Sequence, residues 1–558
     1  MNKRRYSFLL VLLALLLAFW GLGSHGLIDP DEGRYAEIPR EMLESGDFVT
    51  PRLNYVKYFE KPVLHYWLTA VSFAVLGLNE FAARLVPAIA GLGGAALVFA
   101  LARRRWSFSA ALYAAAVLST SLLWFAIARL NIIDMTLTFF MTLSLTGFWL
   151  SLRDGEPSRS GTCERRWLLL FYAGMALATL SKGLIGIVLP GGVVFWFMVL
   201  SRRWRLLPYL LYLPGIGIFF LLTVPWFWAV CRANDDFFYF FFIQEHFLRY
   251  TTDMHERYEP FWYFVPILIA GSIPWTGLLP DTLRRLLFRR KAAENVSFEL
   301  FLALWFAVPF LFFSFSGSKL VPYILPCLPP LALAGGKLLE ELAQGDRLLA
   351  RRFAYLNVPL FFLLAAGGTA YLFLDKKLGA QFLLPYILPV VLSFGLLGLA
   401  SLWLYRRGSY KLMVESFCVL AFFNALVLTR GFSLKAELDS RREAAAAILP
   451  LLGESDVVAS YKDVAQGLSF YLGRRIVLVD VRGELEFGSR QEPDPRWFID
   501  DAKLEALWKN EKGRVFLLAD RKNEGKLQKI LGEPPAVLRE TRGETVFVNF
   551  GASLQDTL

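Results

Sequence analysis

Charged residues are scarce in this sequence. They make up 19% of its 558 residues, whereas hydrophobic residues make up 56% and aromatic residues 16%. This balance excludes an ordinary soluble globular protein. Apolar runs of about 17–25 residues, each long enough to cross the hydrocarbon core of a bilayer, recur from Ser7 to Leu428. The sequence therefore predicts an α-helical membrane protein that crosses the bilayer many times.

Cysteine is rarer still. The sequence has four, Cys163, Cys231, Cys327 and Cys418. They show no C-x-x-C spacing, and two lie inside apolar runs, which argues against a disulfide or metal framework and predicts packing residues. Inverted repeats and broken mid-membrane helices with buried charges are also missing from the sequence pattern, which disfavours a transporter or flippase.

The net charge of +11 is distributed in short basic clusters that flank the apolar runs. This distribution argues against nucleic-acid binding and follows the rule that cytoplasmic loops are rich in lysine and arginine. About thirteen spans satisfy the rule if Pro62–Leu78 lies at the membrane interface instead of crossing. The N-terminus is then cytoplasmic and the C-terminus external.

This topology places the unusual polar residues on the external face. The external segments are residues 29–61, the turn with Asn131 and Asp134, the end of the run near Lys182, the loop Cys231–Phe261 and the turn Ser316–Tyr323. Basic residues are expected to be few on this face, so those present stand out: Lys61, Lys182, Arg249, Arg257 and Lys319. We therefore expect the functional site on the external face.

The composition changes after residue 430, so we divide the chain into a transmembrane catalytic domain, 1–430, and an external domain, 431–558. Strand-like runs in the second domain are Val457–Ser460, Ile476–Val481, Val515–Ala519 and Thr545–Val548, with helical patterns at Asp463–Leu472, Asp500–Asn510 and Asn523–Leu531. This alternation predicts a small α/β fold. The domain has no glycine-rich phosphate loop and no nucleophile motif, so we interpret it as a cap or accessory module.

Three carboxylates, Asp29, Asp31 and Glu32, crowd the point where the first apolar run ends. Acidic residues at a helix N-terminus can serve as caps for free N–H groups, and this interpretation fits Asp29. Ionisable groups at membrane depth are otherwise functional-site candidates. We predict a catalytic role for Asp31, supported by Glu32, and for Asp134 in the second acidic turn.

Two neighbours strengthen the functional interpretation of Asp31, because Arg34 and Tyr35 follow it directly and offer a cation and a phenol. The motif Tyr58–Pro62 adds Lys61, which is either a snorkelling lysine or a ligand for a lipid phosphate. Tyr58 accompanies it in the same motif.

A metal site is a weaker prediction. Glu60 is either the ion-pair partner of Lys61 or a metal ligand, and with His246 it would offer two ligands for zinc or another divalent ion. Two ligands are a weak signal, because structural and catalytic zinc sites use three or four protein ligands.

Two further external segments carry cations beside aromatic residues. Arg249 and Arg257 lie in a loop rich in phenylalanine and tyrosine, which predicts either a lid that grips a lipid chain or an interfacial aromatic belt. Lys319 and Tyr323 lie in a Gly- and Pro-containing turn, which either is a plain surface turn or lines a cavity.

Carboxylates, cations and aromatic walls at a membrane face suit one chemistry in particular. A sugar attached to a lipid phosphate can be transferred if cations stabilise the phosphate that departs. A carboxylate can orient or deprotonate the acceptor, or stabilise positive charge at the sugar carbon.

At these residues the chain resembles the membrane glycosyltransferases of the GT-C class, and specifically the aminoarabinose transferases related to protein O-mannosyltransferases. The matching motifs are DPDEGRYAEIPREM at Asp29–Met42, YFEKPVLHYW at Tyr58–Trp67, RLNIIDMTLTFF at Arg129–Phe140, LSKGLIG at Leu180–Gly186, EHFLRY at Glu245–Tyr250 and SGSKLVPYILPCLPP at Ser316–Pro330. The resemblance covers nearly the whole chain.

This resemblance implies transfer of 4-amino-4-deoxy-L-arabinose from undecaprenyl phosphate to a lipid A phosphate at the periplasmic face of a bacterial inner membrane. Lower surface charge and resistance to polymyxin and other cationic peptides would follow. Asp31 would be the principal catalytic carboxylate and Asp134 the second. Residues that would line the lipid-phosphate pocket are Arg34, Tyr58, Lys61, Lys182 and Tyr323, and Glu60 with His246 matches a metal-binding pair.

The resemblance leaves the acceptor open, because wider relatives use other sugars or act on proteins. The alternative is therefore a transferase that moves a hexose from a polyprenyl phosphate to proteins or to another envelope glycan. We expect a monomer that binds membrane lipids, its lipid-linked donor and its envelope acceptor.

Overall fold

The computed structural model of the protein describes residues 3–153, 155–157, 162–248, 259–288, 296–374, 378–510, 513–532 and 535–549. Most of these residues are helical. The α-helices are Lys3–Phe19, Asp31–Ser45, Leu64–Leu76, Glu80–Arg105, Phe108–Thr120, Leu122–Ile127, Ile133–Leu150, Thr162–Arg165, Leu168–Lys182, Ile185–Leu200, Leu206–Leu210, Leu213–Ala233, Phe264–Gly271, Leu279–Phe288, Val296–Phe315, Leu328–Ala343, Arg347–Leu374, Ala380–Arg406, Tyr410–Asp439, Arg442–Ile448, Gln466–Leu472, Glu486–Gln491, Asp501–Asn510 and Glu524–Leu531.

Shorter helical turns connect these helices. A π-helical segment covers Tyr239–Leu248, and 3₁₀ turns cover Thr276–Leu278, Val321–Cys327, Leu449–Leu451, Gly483–Leu485 and Arg521–Asn523. The strands, in chain order, are β1 (Arg52–Leu53), β2 (Val56–Lys57), β3 (Leu152–Arg153), β4 (Glu156–Pro157), β5 (Val457–Tyr461), β6 (Val477–Val479), β7 (Phe498–Ile499), β8 (Val515–Asp520), β9 (Ala536–Glu540) and β10 (Glu544–Val548).

Among the described residues, seven helices are long and apolar enough to cross a membrane, or eight if a bent pair counts as one span. The seven are Glu80–Arg105, Ile133–Leu150, Leu213–Ala233, Ser297–Phe315, Arg347–Leu374, Ala380–Arg406 and Tyr410–Asp439, and the pair Phe264–Gly271 and Thr276–Phe288 bends by 115°. The prediction of a multi-pass helical membrane protein is confirmed. The helix Leu64–Leu76 has 13 residues, about 20 Å in length, which is shorter than a bilayer core.

The chain forms two compact units. A helical unit consists of Met1–Leu22 and Leu85–Gly431, and a mixed unit consists of Gly23–Arg84 and Phe432–Leu558. The sequence suggested one boundary near residue 430, whereas the mixed unit also includes the early segment Gly23–Arg84. A buried cluster explains this grouping, because Leu27, Ala36, Phe73, Ala82 and Ala83 pack with Phe470.

Close helix packing defines the helical unit. The helices Ile133–Leu150 and Leu168–Lys182 lie side by side, with Gly174 at their contact. A Cβ atom at Gly174 would lie 2.7 Å from the carbonyl oxygen of Phe140, so a larger residue would push the two helices apart. Small residues allow such close approach between membrane helices, where packing replaces the hydrophobic effect as the source of association. This contact fixes the ends of both helices, which carry Asp134 and Lys182.

A six-stranded sheet forms the centre of the mixed unit, in the order β7-β6-β5-β8-β10-β9. Strands β5 to β8 are parallel, and β10 is antiparallel to both β8 and β9. All four predicted strands are present, and the predicted helices correspond to Gln466–Leu472, Asp501–Asn510 and Glu524–Leu531. The α/β prediction for the C-terminal residues is therefore confirmed, although β7 and β9 were not predicted.

The order of the parallel strands changes direction within this sheet. The strand order reverses beside β5, since β6 and β7 follow on one side and β8 lies on the other. In open α/β sheets the crevice at such a reversal is the usual place for a bound ligand. Gln466 and Gly467 follow β5, and Glu484 follows β6, so all three lie beyond these strand ends.

Candidate active site

Glu32 is buried in an ion pair with Arg84. Arg84 Nε lies 2.7 Å from Oε1 of Glu32, and Arg84 Nη2 donates to Oε2 at 2.7 Å. The same guanidinium donates to the carbonyl oxygens of His25 and Gly26, and the amide N–H of Ile28 donates to Glu32 Oε2 at 3.0 Å. Both carboxylate oxygens of Glu32 are thus bound inside the protein. Its geometry suits a residue that shapes the loop before the helix Asp31–Ser45.

Asp29 is also buried, and it holds a helix other than the one it precedes. Its two carboxylate oxygens accept from the amide N–H of Gly467 at 3.0 and 3.1 Å, at the start of the helix Gln466–Leu472. Arg441 Nε lies 3.4 Å from Oδ2 of Asp29. A Cβ atom at Gly33 would lie 2.1 Å from the Asp29 carboxylate, so this approach requires glycine. Asp29 therefore binds one free N–H group at a helix start, as expected of a cap, but on a helix remote in sequence.

Arg441 is shared by three acidic residues. It pairs with Asp463 at 2.7 Å and with Glu544, in addition to Asp29. Burial raises the pKa of Asp29 to about 7 and that of Glu544 to about 7, although Arg441 opposes both shifts. One guanidinium cannot neutralise the two buried carboxylates of Asp29 and Glu544 together with the more exposed Asp463, so the cluster holds a proton up to near neutral pH.

Asp31 differs from both of its acidic neighbours. Its side chain is 61% exposed, and its partner is Nη1 of Arg34 at 3.3 Å. It occupies the first turn of the helix Asp31–Ser45, where the helix dipole favours a carboxylate. Of the three carboxylates that begin this motif, Asp31 is the one whose oxygens can meet a substrate.

Arg34 contacts both Asp31 and Glu484, and the sequence did not predict Glu484 as a site residue. Its Nε lies 2.8 Å from Oε2 of Glu484, and the hydroxyl of Tyr58 donates to the same oxygen at 3.3 Å. Gln466 donates to the other oxygen. Burial raises the pKa of Glu484, and Arg34 is the largest opposing influence. Two predicted phosphate-binding residues, Arg34 and Tyr58, thus meet at a carboxylate from the C-terminal part of the chain.

The remaining motif residues of the mixed unit lie nearby. Tyr35 stacks on Tyr66 with ring centroids 5.9 Å apart, and its ring meets the edge of His65 at 5.5 Å. Lys61 donates to its neighbour's backbone, the carbonyl of Glu60, at 2.8 Å, and Nζ lies 3.7 Å from the Glu60 carboxylate. Lys61 and Glu60 are therefore ion-pair partners.

The predicted metal site includes a side chain that the structure does not describe. The side chain of His246 lies outside the described residues, as do Arg249 and Arg257 entirely. Among the residues that are described, no group of three or more His, Cys, Asp or Glu side chains is placed to hold a metal ion. Glu60 by itself does not make a zinc site, and the zinc pair stays a prediction.

The helical unit has its own polar cluster. Lys182 Nζ lies 2.5 Å from Oδ1 of Asp134 and 4.5 Å from the centroid of the Tyr323 ring. Asp134 begins one helix, Lys182 ends another, and Tyr323 lies in the 3₁₀ turn Val321–Cys327. Three residues that were predicted from separate motifs therefore meet, and an ammonium group over a phenol is a stabilising contact.

Lys319 is buried and binds backbone carbonyl groups. Its ammonium donates to the carbonyl oxygens of Glu259 and Ser316, both at 2.7 Å. Burial lowers its pKa. Its contacts hold the chain around the turn, whereas Lys182 lies between a carboxylate and a phenol.

The structure shows apolar helices long enough to span a membrane, an exposed carboxylate beside a partly buried arginine, and a small α/β unit. The family model described as dolichyl-phosphate-mannose-protein mannosyltransferase matches residues 4–238. Together with arabinosyl transferase relatives at 35–36% identity over most of the chain, this match makes the chain a multi-pass membrane glycosyltransferase. A second model, described as the aminoarabinose transferase C-terminal domain, matches residues 444–548.

Individual relatives narrow this class. The undecaprenyl phosphate-alpha-4-amino-4-deoxy-L-arabinose arabinosyl transferase of Pseudomonas aeruginosa (strain UCBPP-PA14) is 35% identical over 503 residues, 87% of each chain. The enzyme of the same name from Pectobacterium carotovorum subsp. carotovorum (strain PC1) is 36% identical over 92% of each chain. The crystal structure of ArnT from Cupriavidus metallidurans bound to undecaprenyl phosphate is 30% identical, with a TM-score of 0.88 over 99% of each chain. The chain belongs to the aminoarabinose transferase family, as its motifs predicted.

Proposed function

We propose that the protein transfers 4-amino-4-deoxy-L-arabinose from undecaprenyl phosphate to a phosphate of lipid A. The bond between the anomeric carbon and the donor phosphate oxygen breaks, and its electron pair leaves with undecaprenyl phosphate. A lipid A phosphate oxygen forms the new bond to the anomeric carbon. Family membership supports the donor and the sugar, because relatives at 35–36% identity carry this activity in their names.

The strongest structural support is the difference in exposure among Asp29, Asp31 and Glu32. Asp29 is bound by Gly467 and Arg441, and Glu32 is bound by Arg84. The Asp31 side chain, in contrast, is 61% exposed. We assign Asp31 the catalytic role. The acceptor phosphate is already anionic at neutral pH, so a strong general base is unnecessary, and Asp31 stabilises positive charge that develops on the sugar as its bond lengthens.

Cations stabilise the negative charge that develops on the departing phosphate. In the mixed unit Arg34 and Lys61 supply this role, with Tyr35 and Tyr58 as hydrogen-bonding neighbours, and Glu484 holds Arg34 in place. Arg34 uses Nε for Glu484 and Nη1 for Asp31, so its other N–H donors can bind phosphate oxygens.

In the helical unit we assign phosphate binding to Lys182 and Tyr323, with Asp134 as the residue that positions Lys182. Arg249 and Arg257 remain proposed phosphate ligands on their sequence pattern. Glu32 and Lys319 are assigned positioning roles, because their partners are an arginine and backbone carbonyl groups.

We further propose a location and topology. About thirteen spans, with the shorter apolar helices included, would place every basic cluster in the cytoplasm of a bacterial inner membrane. The N-terminus would be cytoplasmic, residues 1–430 would form the catalytic domain, and residues 431–558 would be periplasmic. A monomer would suffice, and the modified lipid A would repel cationic peptides such as polymyxin because a phosphate charge is masked.

Mass spectrometry of lipid A tests the proposal. The gene is expressed in a bacterium that makes the lipid-linked aminoarabinose but lacks its own transferase, beside the Asp31→Asn variant as the control. Lipid A that gains an aminopentose with the wild-type gene alone supports the proposal. Unchanged lipid A together with newly glycosylated envelope protein would instead favour the hexose or protein transferase.

A further inference from the structure

Tyr66 carries a buried hydroxyl group without a partner. It lies in the helix Leu64–Leu76, is fully buried, and belongs to the largest side chains of the interior. Within the described part of the chain, no group forms a hydrogen bond with its hydroxyl. A buried polar group without a partner is destabilising, and a phenylalanine would fill the same space without this penalty. The hydroxyl therefore needs an explanation other than packing.

The surroundings of Tyr66 are those of the candidate active site. Its ring stacks on Tyr35 with an interplanar angle of 26°. Charges of Arg34, Glu60 and Glu484 act on its hydroxyl, which places it among the residues that gather at the Asp31 motif. Arg34 also lies 5.9 Å from the centroid of the Tyr35 ring.

Arg34 offers further donors in this cluster. Its Nε pairs with the Glu484 carboxylate at 2.8 Å and its Nη1 donates to Asp31 at 3.3 Å, whereas a guanidinium has five N–H donors in all. Arginine offers donors alone, so a ligand that binds its other N–H groups must be an acceptor. A phosphate oxygen is an acceptor with negative charge, whereas an ammonium group would be repelled by the guanidinium.

From these two donors we infer that the Tyr66 hydroxyl donates a hydrogen bond to the phosphate of the polyprenyl-linked donor. The inference rests on the proposed function, since it assigns another ligand to the same phosphate. Binding would remove the penalty on the hydroxyl, so the stabilisation appears in the complex and not in the unliganded protein. Tyr66 is thus a donor-binding residue.

Binding of undecaprenyl phosphate to the purified full-length chain tests this role. The wild type is compared with Tyr66→Phe and with Tyr461→Phe, which changes another fully buried tyrosine, in strand β5 of the sheet. Undecaprenol, which has the same chain and no phosphate, is the matched ligand. A hydrogen bond to a charged group predicts that Tyr66→Phe weakens undecaprenyl phosphate binding about tenfold or more. Undecaprenol binding and the unfolding temperature of the unliganded variant should stay at or above wild-type levels.

The outcomes separate this inference from the proposed function. If Tyr66→Phe binds undecaprenyl phosphate as tightly as the wild type, or loses stability without ligand, the hydroxyl is structural and the inference is overturned while the function stands. An equal loss for Tyr461→Phe would also overturn it, since the effect would not be specific to the cluster. Failure of the wild-type protein to bind undecaprenyl phosphate would overturn both.

Discussion

Arg34 and Glu484 come from opposite ends of the chain, yet their charged groups lie 2.8 Å apart. Arg34 belongs to the motif that carries Asp31, and Glu484 follows strand β6 of the sheet. The pair is mostly buried, and Tyr58 and Gln466 also donate to the Glu484 carboxylate. The C-terminal residues therefore contribute directly to the surroundings of the motif that carries Asp31, beyond the accessory role that their sequence suggested.

Glu484→Gln should weaken donor binding and transfer, because Arg34 would lose the charge that holds it. We expect a loss of about tenfold in kcat/KM, equivalent to about 1.4 kcal/mol, with a modest fall in unfolding temperature. Glu486→Gln is the control. Glu486 lies two residues after Glu484, is exposed and pairs with Arg490. Equal effects of the two substitutions would contradict a specific role for Glu484.

Asp31 and Glu32 should separate activity from stability. Asp31→Asn should abolish transfer and leave the unfolding temperature unchanged, because an exposed carboxylate contributes little to the fold. Glu32→Gln should destabilise the protein by about 3 kcal/mol, because it leaves the Arg84 guanidinium buried without its carboxylate. Thermal unfolding and a transfer assay on both variants measure this. A stable but inactive Glu32→Gln protein would contradict the positioning role and indicate that Glu32 acts in catalysis.

Lys182 and Asp134 should behave as one unit. Lys182→Gln should weaken undecaprenyl phosphate binding, and Asp134→Asn should weaken it less, since the ammonium would remain over the Tyr323 ring. The double variant should bind about as weakly as Lys182→Gln alone, because the second change has no remaining partner to disturb. Losses that simply add in the double variant would show that the two residues act independently.

The cluster around Arg441 should make stability depend on pH. Burial raises the pKa of Asp29 from 3.8 in its ordinary state to about 7. Between these values the unfolded chain loses the proton while the folded protein keeps it, so stability falls as pH rises from about 4 to about 7 and is then constant. Asp29→Asn should reduce this dependence and leave the part that comes from Glu544, whose pKa is also raised to about 7. Unfolding temperatures of both proteins between pH 4 and 8 measure it, and parallel curves would exclude Asp29 as the source.

The parts of the fold that sequence could predict are those with local signals. Long apolar runs predicted the spanning helices, and alternation predicted four strands of the sheet, because each pattern repeats within a few residues. Strand β7 has two residues and β9 is mostly exposed, so neither carries such a pattern. The grouping of Gly23–Arg84 with the C-terminal residues depends on side chains that are distant in sequence.

Some residues of the candidate site could be predicted from local sequence patterns, and others could not. Lys182 was predicted from the scarcity of basic residues on the external face, Asp134 from its acidic turn and Tyr323 from its Gly- and Pro-containing turn. The three residues meet in the helical unit. Neighbouring positions of a helix point about 100° apart, so Asp31 is exposed while Glu32 is buried. No composition signal reveals which of the two faces inward. No sequence pattern marked Glu484 as a site residue either, because a single glutamate in a mixed polar and apolar segment is common. Only its contact with Arg34 distinguishes it.

The Asp29 carboxylate binds the amide of Gly467, which follows strand β5 and begins the next helix of the mixed unit. This has a consequence for anyone who recombines members of the family. A chimaera joined at residue 431 would pair the sheet of one parent with the Asp29 and Arg34 segment of another. Exchange of residues 23–84 together with 432–558 keeps these matched surfaces in one parent. The natural unit of exchange is therefore discontinuous in sequence.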